Sequence, residues 1–397
     1  MMKRTPLLGL LLIFLLPAIA IAGNVTGVTD DEVVVGMNGP LSGPGAAWGI
    51  IPRGAKAWAE HINDQGGIHG RKIKTIILDD AYNPARTLAN LQQMKNKVFA
   101  VLGVLGTAPC AASKDFFWEN KIPMIHGYGN MRIYAGLPKD KLRWYFTAYP
   151  DYEDETVFQI TYAVEKLNSR KIAHFYQNDD WGHQSLIGLK RALKESGQKA
   201  ELVTKVPYEF SERALSTHAM KLKESGADTV LITGSATHTA LIVKTMAKIG
   251  FKPKVLTNFV LADPIMHRLV GKDWVGTYAT MAGQLSMPGS DPAADKIVDI
   301  LMKYEPDVKG KEYLALFGAV TMMHFIEGLQ NAGRDLTRED FIKGMEQIKN
   351  WRPYDLGCPV TYGPNRRMGV NAIRMTIASD DGMNHPITDY VLFEPRF

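Results

Sequence analysis

Read for hydrophobic and polar positions, the chain alternates short, continuously apolar runs with longer segments whose apolar residues recur every three or four positions. EVVVGMNGPLSGPGAAWG at 32–49 starts as a Val-rich strand and runs into a Gly/Pro loop. RGAKAWAEHINDQGG follows with Ala55, Trp58, Ala59 and Ile62 at helical spacing and a stop at Gly66 and Gly67. KIKTIILDD at 72–80, VFAVLGVLG at 98–106 and KIPMI at 121–125 read as further buried strands, and PARTLANLQQMKNK at 84–97 as a helix with Pro in its first turn. A second series begins near Tyr149: helix at 154–168, strand at 171–177, helix at 183–197, strand at 200–208, helix at 214–226, strand at 227–234, helix at 237–250, strand at 252–260. Strands alternating with helices of this length predict parallel sheets built from right-handed crossovers. Two successive series predict two similar lobes.

After about residue 280 the pattern changes to the long apolar helix YLALFGAVTMMHFIEGLQNAG, a polar helix, and a C-terminal stretch that alternates and turns like antiparallel strands. No short-period repeat appears, which excludes solenoids and propellers.

The first 22 residues stand apart. A basic start at Lys3 and Arg4, an apolar core from Leu7 to Leu16, a Pro break and small residues at Ala20 and Ala22 form the three-part pattern of a secretory signal peptide cleaved near Ala22. The apolar core is too short to span a bilayer. The protein is therefore expected to be exported to an oxidising compartment, without a membrane span in its mature part. With 46% hydrophobic and 22% charged residues the mature chain can build globular cores. A net charge of +5, smaller without Lys3 and Arg4, leaves no footprint for nucleic acid. Two cysteines, Cys110 and Cys358, are too few for a disulfide scaffold and are not spaced for zinc; a single bridge and two buried thiols both remain open.

Catalytic constellations are missing. No phosphate loop, nucleophile elbow, H-E-x-x-H or close Cys/His set occurs, and the 10 His are scattered singly. Gly43, Gly45 and Gly49 fail the dinucleotide spacing, with Pro44 between the first two and Trp48 obstructing the last. Asp79 and Asp80 could serve as an acid/base pair in a secreted α/β enzyme, but no other ligand stands beside them, and a loop-ordering role is favoured. No cofactor, metal or enzymatic activity is expected.

Ligands of open α/β sheets bind at the carboxyl ends of strands. The residues there are Trp48; Thr107 and Ala108, leading into a helix whose N-terminus suits a carboxylate; Tyr128, Gly129 and Asn130; Trp181; Ser235; and Phe259. Trp48, Tyr128 and Trp181 are expected to wall the apolar part of a ligand.

These segments carry a resemblance. GPLSG followed by INDQGGIHGRKI, with DDAYNPARTLANLQQM, VFAVLGVLGT, ENKIPMIHGYGN, YQNDDWGHQ, ADTVLITGSATHTALIVKTMAKIG and PVTYGP, resembles the periplasmic leucine/isoleucine/valine-binding proteins, type I solute-binding proteins of ABC importers. The resemblance implies two doubly wound α/β lobes joined by a three-strand hinge, with residues 23–149 and 281–357 in one lobe and 150–280 and 358–397 in the other. It implies a monomer that closes on a small-molecule ligand and presents it to an ABC permease in the inner membrane. A sensory module of the same fold, responding to an amide or amino acid, is the alternative. The family's carboxylate contact falls at Thr107 or Ala108, its backbone contacts at Tyr128 to Asn130, and its aromatics at Trp48 and Trp181. The acidic residue that meets the ligand's ammonium has no clear counterpart near NFVLADP, Asp263 lying further along. That departure implies an aromatic or branched carboxylic acid without an amine ahead of a branched-chain amino acid.

Overall fold

A computed structural model describes residues 25–397; the expected leader lies outside them. Two sheets organise the chain. The first consists of β1 (Glu32–Gly39), β2 (Lys72–Asp79), β3 (Ala100–Leu105), β4 (Met124–Tyr128) and β5 (Tyr145–Phe146) in the order β2-β1-β3-β4-β5, all parallel. The second consists of β6 (Lys171–Gln177), β7 (Glu201–Tyr208), β8 (Thr229–Thr233), β9 (Lys254–Thr257), β10 (Tyr278–Ala282), β11 (Ala372–Ala378), β12 (Asn384–Pro386) and β13 (Val391–Leu392). Its order is β12-β11-β10-β9-β8-β6-β7, with β13 also on β11. The strands from β7 to β10 are parallel, and β11 to β13 close the edge antiparallel, as the C-terminal alternation predicts.

The strand composition follows from this packing. Every residue of β3, β4 and β8 is buried, because helices cover both faces of a parallel sheet. The long helix Glu312–Ala332 is apolar on nearly all sides because it is enclosed between the first sheet and the helices Ile50–Asp64 and Arg338–Glu346. It joins the first sheet's lobe although it lies almost three hundred residues after β1 in sequence.

The chain passes between the sheets three times, and the crossings are bonded to each other. Thr147 N donates to Arg367 O at 2.9 Å and Gly369 N to Thr147 O at 2.7 Å. Gly283 N donates to Ala372 O at 2.7 Å and Cys358 N to Gly283 O at 2.6 Å. Three adjacent strands of backbone therefore form the hinge. The last crossing comes later than the return at 358 expected from the sequence, because Tyr362 and Arg367 still pack on Phe146 of the first sheet and Met368 pairs with Thr147.

Cys110 and Cys358 are both buried free thiols, and burial pushes that of Cys110 up to about 12. Among the described residues, no helix is long and apolar enough to cross a membrane, and no group of three or more His, Cys, Asp and Glu could hold a metal ion.

Candidate functional site

The register of β1 on β2 runs without a shift from Glu32 opposite Lys72 to Gly39 opposite Asp79, so the loops after both strands emerge side by side. Asp79 ties them together. Its carboxylate accepts the N–H groups of Leu41 (2.8 Å), Ser42 (3.3 Å) and Ala81 (2.9 Å) and the Ser42 hydroxyl (2.6 Å). Partial burial opposes ionisation, but these donors win and hold the carboxyl below its ordinary range. Asp80 is fully buried, which raises its pKa, and accepts from Tyr82 N and the Thr87 hydroxyl, each at 2.8 Å. Both carboxylates order backbone.

The loop so fixed carries Trp48 in a single 3-10 turn, Ala46–Gly49, and leads into the helix Ile50–Asp64. Trp48 is 6% exposed and meets Trp181 of the other lobe with ring centroids 6.3 Å apart. Trp181 is 3% exposed and lies in the first turn of the helix Asp180–Glu195, whose Asp179 cap accepts the Trp181 and Gly182 N–H groups. Tyr152, at the start of the helix after the first crossing, lies 5.5 Å from Trp181 at 32°. Tyr149, Val260, Phe317, Ile51 and Leu105 complete an apolar wall, and Tyr82, Tyr128, Gly106 and Thr107 close it.

Among the described residues, no charged side chain lines this cleft. Its polar resources are of another kind. The helix Thr107–Glu119 begins at the wall with no side-chain cap, because its N-cap is Gly106 and the Thr107 hydroxyl instead accepts the Asn130 N–H at 3.1 Å. Amides of such a first turn need acceptors and favour an anion. The indole N–H groups of Trp48 and Trp181 are buried and have no partner among the described residues.

Of the residues expected from the sequence, Trp48, Thr107, Tyr128 and Trp181 line the cleft together. The others lie outside its lining. Ala108 is one residue further into the helix, and Gly129 backs onto the Thr107 backbone, where a β-carbon would come within 2.9 Å of Thr107 Cα. Asn130 turns its side chain to the Arg132 N–H. Ser235 caps the helix Ala236–Lys248 and donates its N–H to the Tyr208 hydroxyl at 3.0 Å. Phe259 stands behind the wall, 4.8 Å from Tyr149 and 6.1 Å from Tyr152. Tyr128 contributes only its ring, since its hydroxyl bonds to Phe317 O at 3.0 Å and to Thr321.

The acids nearest in sequence do not reach the cleft wall. Asp263 accepts Ile265 N and Leu314 N, both at 2.8 Å, and burial pushes it up to about 7. Glu155 lies behind Phe259, accepting its N–H at 2.8 Å and the Thr280 hydroxyl, and burial pushes it up to about 8.

Two α/β lobes, a three-stranded hinge and a buried cleft between them define a two-lobed ligand-binding protein. The chain belongs to the periplasmic binding protein family, whose pattern it matches over residues 32–382. Its fold is the type I fold of that family. It is 26% identical over 314 residues to Leu/Ile/Val-binding protein homolog 1 of Brucella abortus, covering 78% of this chain and 81% of the relative. It is 21% identical over 331 residues to the leucine-, isoleucine-, valine-, threonine- and alanine-binding protein of Pseudomonas aeruginosa, covering 80% and 84%. Among solved structures, the fatty acid ABC transporter substrate-binding protein from Thermomonospora curvata superposes with a TM-score of 0.82 at 20% identity, covering 93% of this chain and 95% of that one.

Proposed function

We propose that this protein is the exported ligand-capturing component of an ABC importer, and that its cargo is a small aromatic or branched carboxylic acid without an ammonium group. One observation carries the reading: an aromatic cleft free of charged side chains, set against an uncapped helix N-terminus. A carboxylate would dock on the Thr107 and Ala108 amides and the two free indole donors, while its apolar part lies among Trp181, Tyr152 and Phe317. An ammonium would be buried without a carboxylate to meet it, at a cost of several kcal/mol. Relatives named for leucine and for fatty acids share a carboxylate as their common chemistry. On this reading the ligand leaves chemically unchanged: among the described residues the lining holds no Cys, His, Asp, Glu or Lys to act as nucleophile or acid–base pair.

The test is a thermal-shift screen of residues 23–397 against amino acids, aryl and branched carboxylates, 2-keto acids and amides. Saturation at ~100 times the dissociation constant adds about 2.7 kcal/mol to the stability of the bound form. Aromatic or branched acids are expected to raise the unfolding temperature while their amino-acid counterparts do not. A rise only with leucine, isoleucine or valine would overturn the ammonium argument, and a rise with amides alone would favour a sensor. For an acid that binds, Trp181→Ala should weaken affinity by ~1–3 kcal/mol, read by calorimetry, if the indole stacks on the ligand and donates to it. An unchanged dissociation constant would remove Trp181 from the site.

A further inference from the structure

Tyr82 holds an unusual position for a wall residue. Ala81 and Tyr82 have φ of 50° and 64°, two consecutive left-handed residues that are not glycine. Such a turn persists only where its surroundings over-determine it. Here Asp79 takes the Ala81 N–H, Asp80 takes the Tyr82 N–H, and Asn83 caps the next helix by accepting from Ala85 and Arg86. The result is a ring aimed out of its own lobe. It lies so close over Gly106 that a β-carbon there would come within 2.2 Å of Tyr82 Cε2.

Across the cleft the ring stacks on Phe210 of the second lobe, with centroids 4.4 Å apart and planes at 26°. The Tyr82 hydroxyl accepts from Gln177 Nε2 at 3.3 Å, and nearby the Thr237 hydroxyl donates to Pro44 O at 2.9 Å, also between lobes. Tyr82 therefore touches the other lobe directly, by both ring and hydroxyl.

We propose that Tyr82 is the positioning residue for closure: the strained turn holds its ring ready, and the stack on Phe210 keeps the lobes together and slows ligand release. This rests on the reading of a cleft that closes on its cargo. A side chain presented by a fixed turn loses little freedom when the stack forms, so the contact favours the closed state at small entropic cost.

The test uses spin labels on the exposed positions Gln93→Cys and Lys221→Cys, one in each lobe, with interlobe distances measured by pulsed electron resonance with and without phenylpyruvate. Tyr82→Ala and Phe210→Ala are each expected to lower the ratio of closed to open protein about twofold to tenfold. The double variant should go no further than either single one, because all three remove the same stack. Tyr82→Phe keeps the ring and should stay close to wild type. Phe210 is only half-buried, so its variant keeps the fold even if Tyr82→Ala loosens the loop. Unmoved distances in the single variants, or a double variant that opens as the product of the two, would overturn the assignment. If the distances respond as expected while no carboxylate raises the unfolding temperature, the cargo reading fails and the closure assignment stands; a binding acid with unmoved distances is the reverse outcome.

Discussion

Glu155→Gln should raise the stability of the protein at pH 8.5 by several kcal/mol, roughly 2–5, and change it little near pH 4. Glu155 is completely buried, and burial pushes its carboxyl from 4.5 up to about 8. The unfolded chain loses this proton near its ordinary pKa, whereas the folded protein keeps it until about pH 8. Between those values the unfolded state binds fewer protons than the folded one, so stability falls as pH rises. The contribution is complete below about pH 4.5, drains away across the window and levels off above about pH 8. Asp263, raised from 3.8 to about 7, acts in the same direction over a lower window. A glutamine keeps the oxygen that accepts from Phe259 and Thr280 and cannot ionise. Chemical denaturation of both proteins from pH 4 to 9 should show a gap that widens with pH. A constant or shrinking gap would mean that Glu155 is ionised inside the fold.

Gly318→Ala should prevent the first lobe from folding, or cost at least ~3 kcal/mol where it folds. A β-carbon at Gly318 would lie 1.8 Å from Ile51 O and 2.7 Å from Ala55 N. On the facing helix, a β-carbon at Gly54 would lie 2.2 Å from Ala315 O. Two helices thus touch backbone to backbone at a pair of glycines, and neither contact is with a side chain that can rotate away. Separating them would also disturb the cleft, because one helix supplies Ile51 and the other supplies Phe317 and the Thr321 partner of Tyr128. Circular dichroism and urea denaturation of the variant measure the loss. A variant as stable as wild type would show that the helices can part without penalty.

The parallel strands were legible because a sheet covered on both faces leaves continuous apolar runs, as in AVLGVL and TVLIT. The two-residue strand β5 and the late return at Met368 were not, since Tyr145–Phe146 is too short to show a period and the Thr147 pairing is made across the whole chain. In the cleft, Thr107, Tyr128 and Trp181 could be found because they lie at or just beyond strand ends, and Trp48 because it closes the Gly/Pro loop that follows the first strand. Phe317 could not: a helix buried all round gives no sign of which side meets the ligand. Tyr149 belongs to a hinge crossing, which has no periodicity of its own, and Tyr152 opens the helix just after it. Tyr82 depends on two left-handed residues, and the only signal in the sequence was the adjacent Asp79 and Asp80, whose loop-ordering role is the one the hydrogen bonds show. Ser235 was expected at the cleft because it follows the end of a strand, but its hydroxyl is occupied as the cap of the next helix.

The enclosed helix Glu312–Ala332 has a consequence for the order in which the protein can be made. The first sheet is complete once Phe146 has been synthesised, but a covering layer on one of its faces is not available until about 190 residues later. During that interval an apolar surface destined for Phe317, Val320 and Phe325 has nothing to meet. The second lobe likewise waits for β11 before its edge can close. Neither lobe can complete its packing until nearly all of the chain exists, so apolar surface stays uncovered, and the native fold unlocked, through most of synthesis.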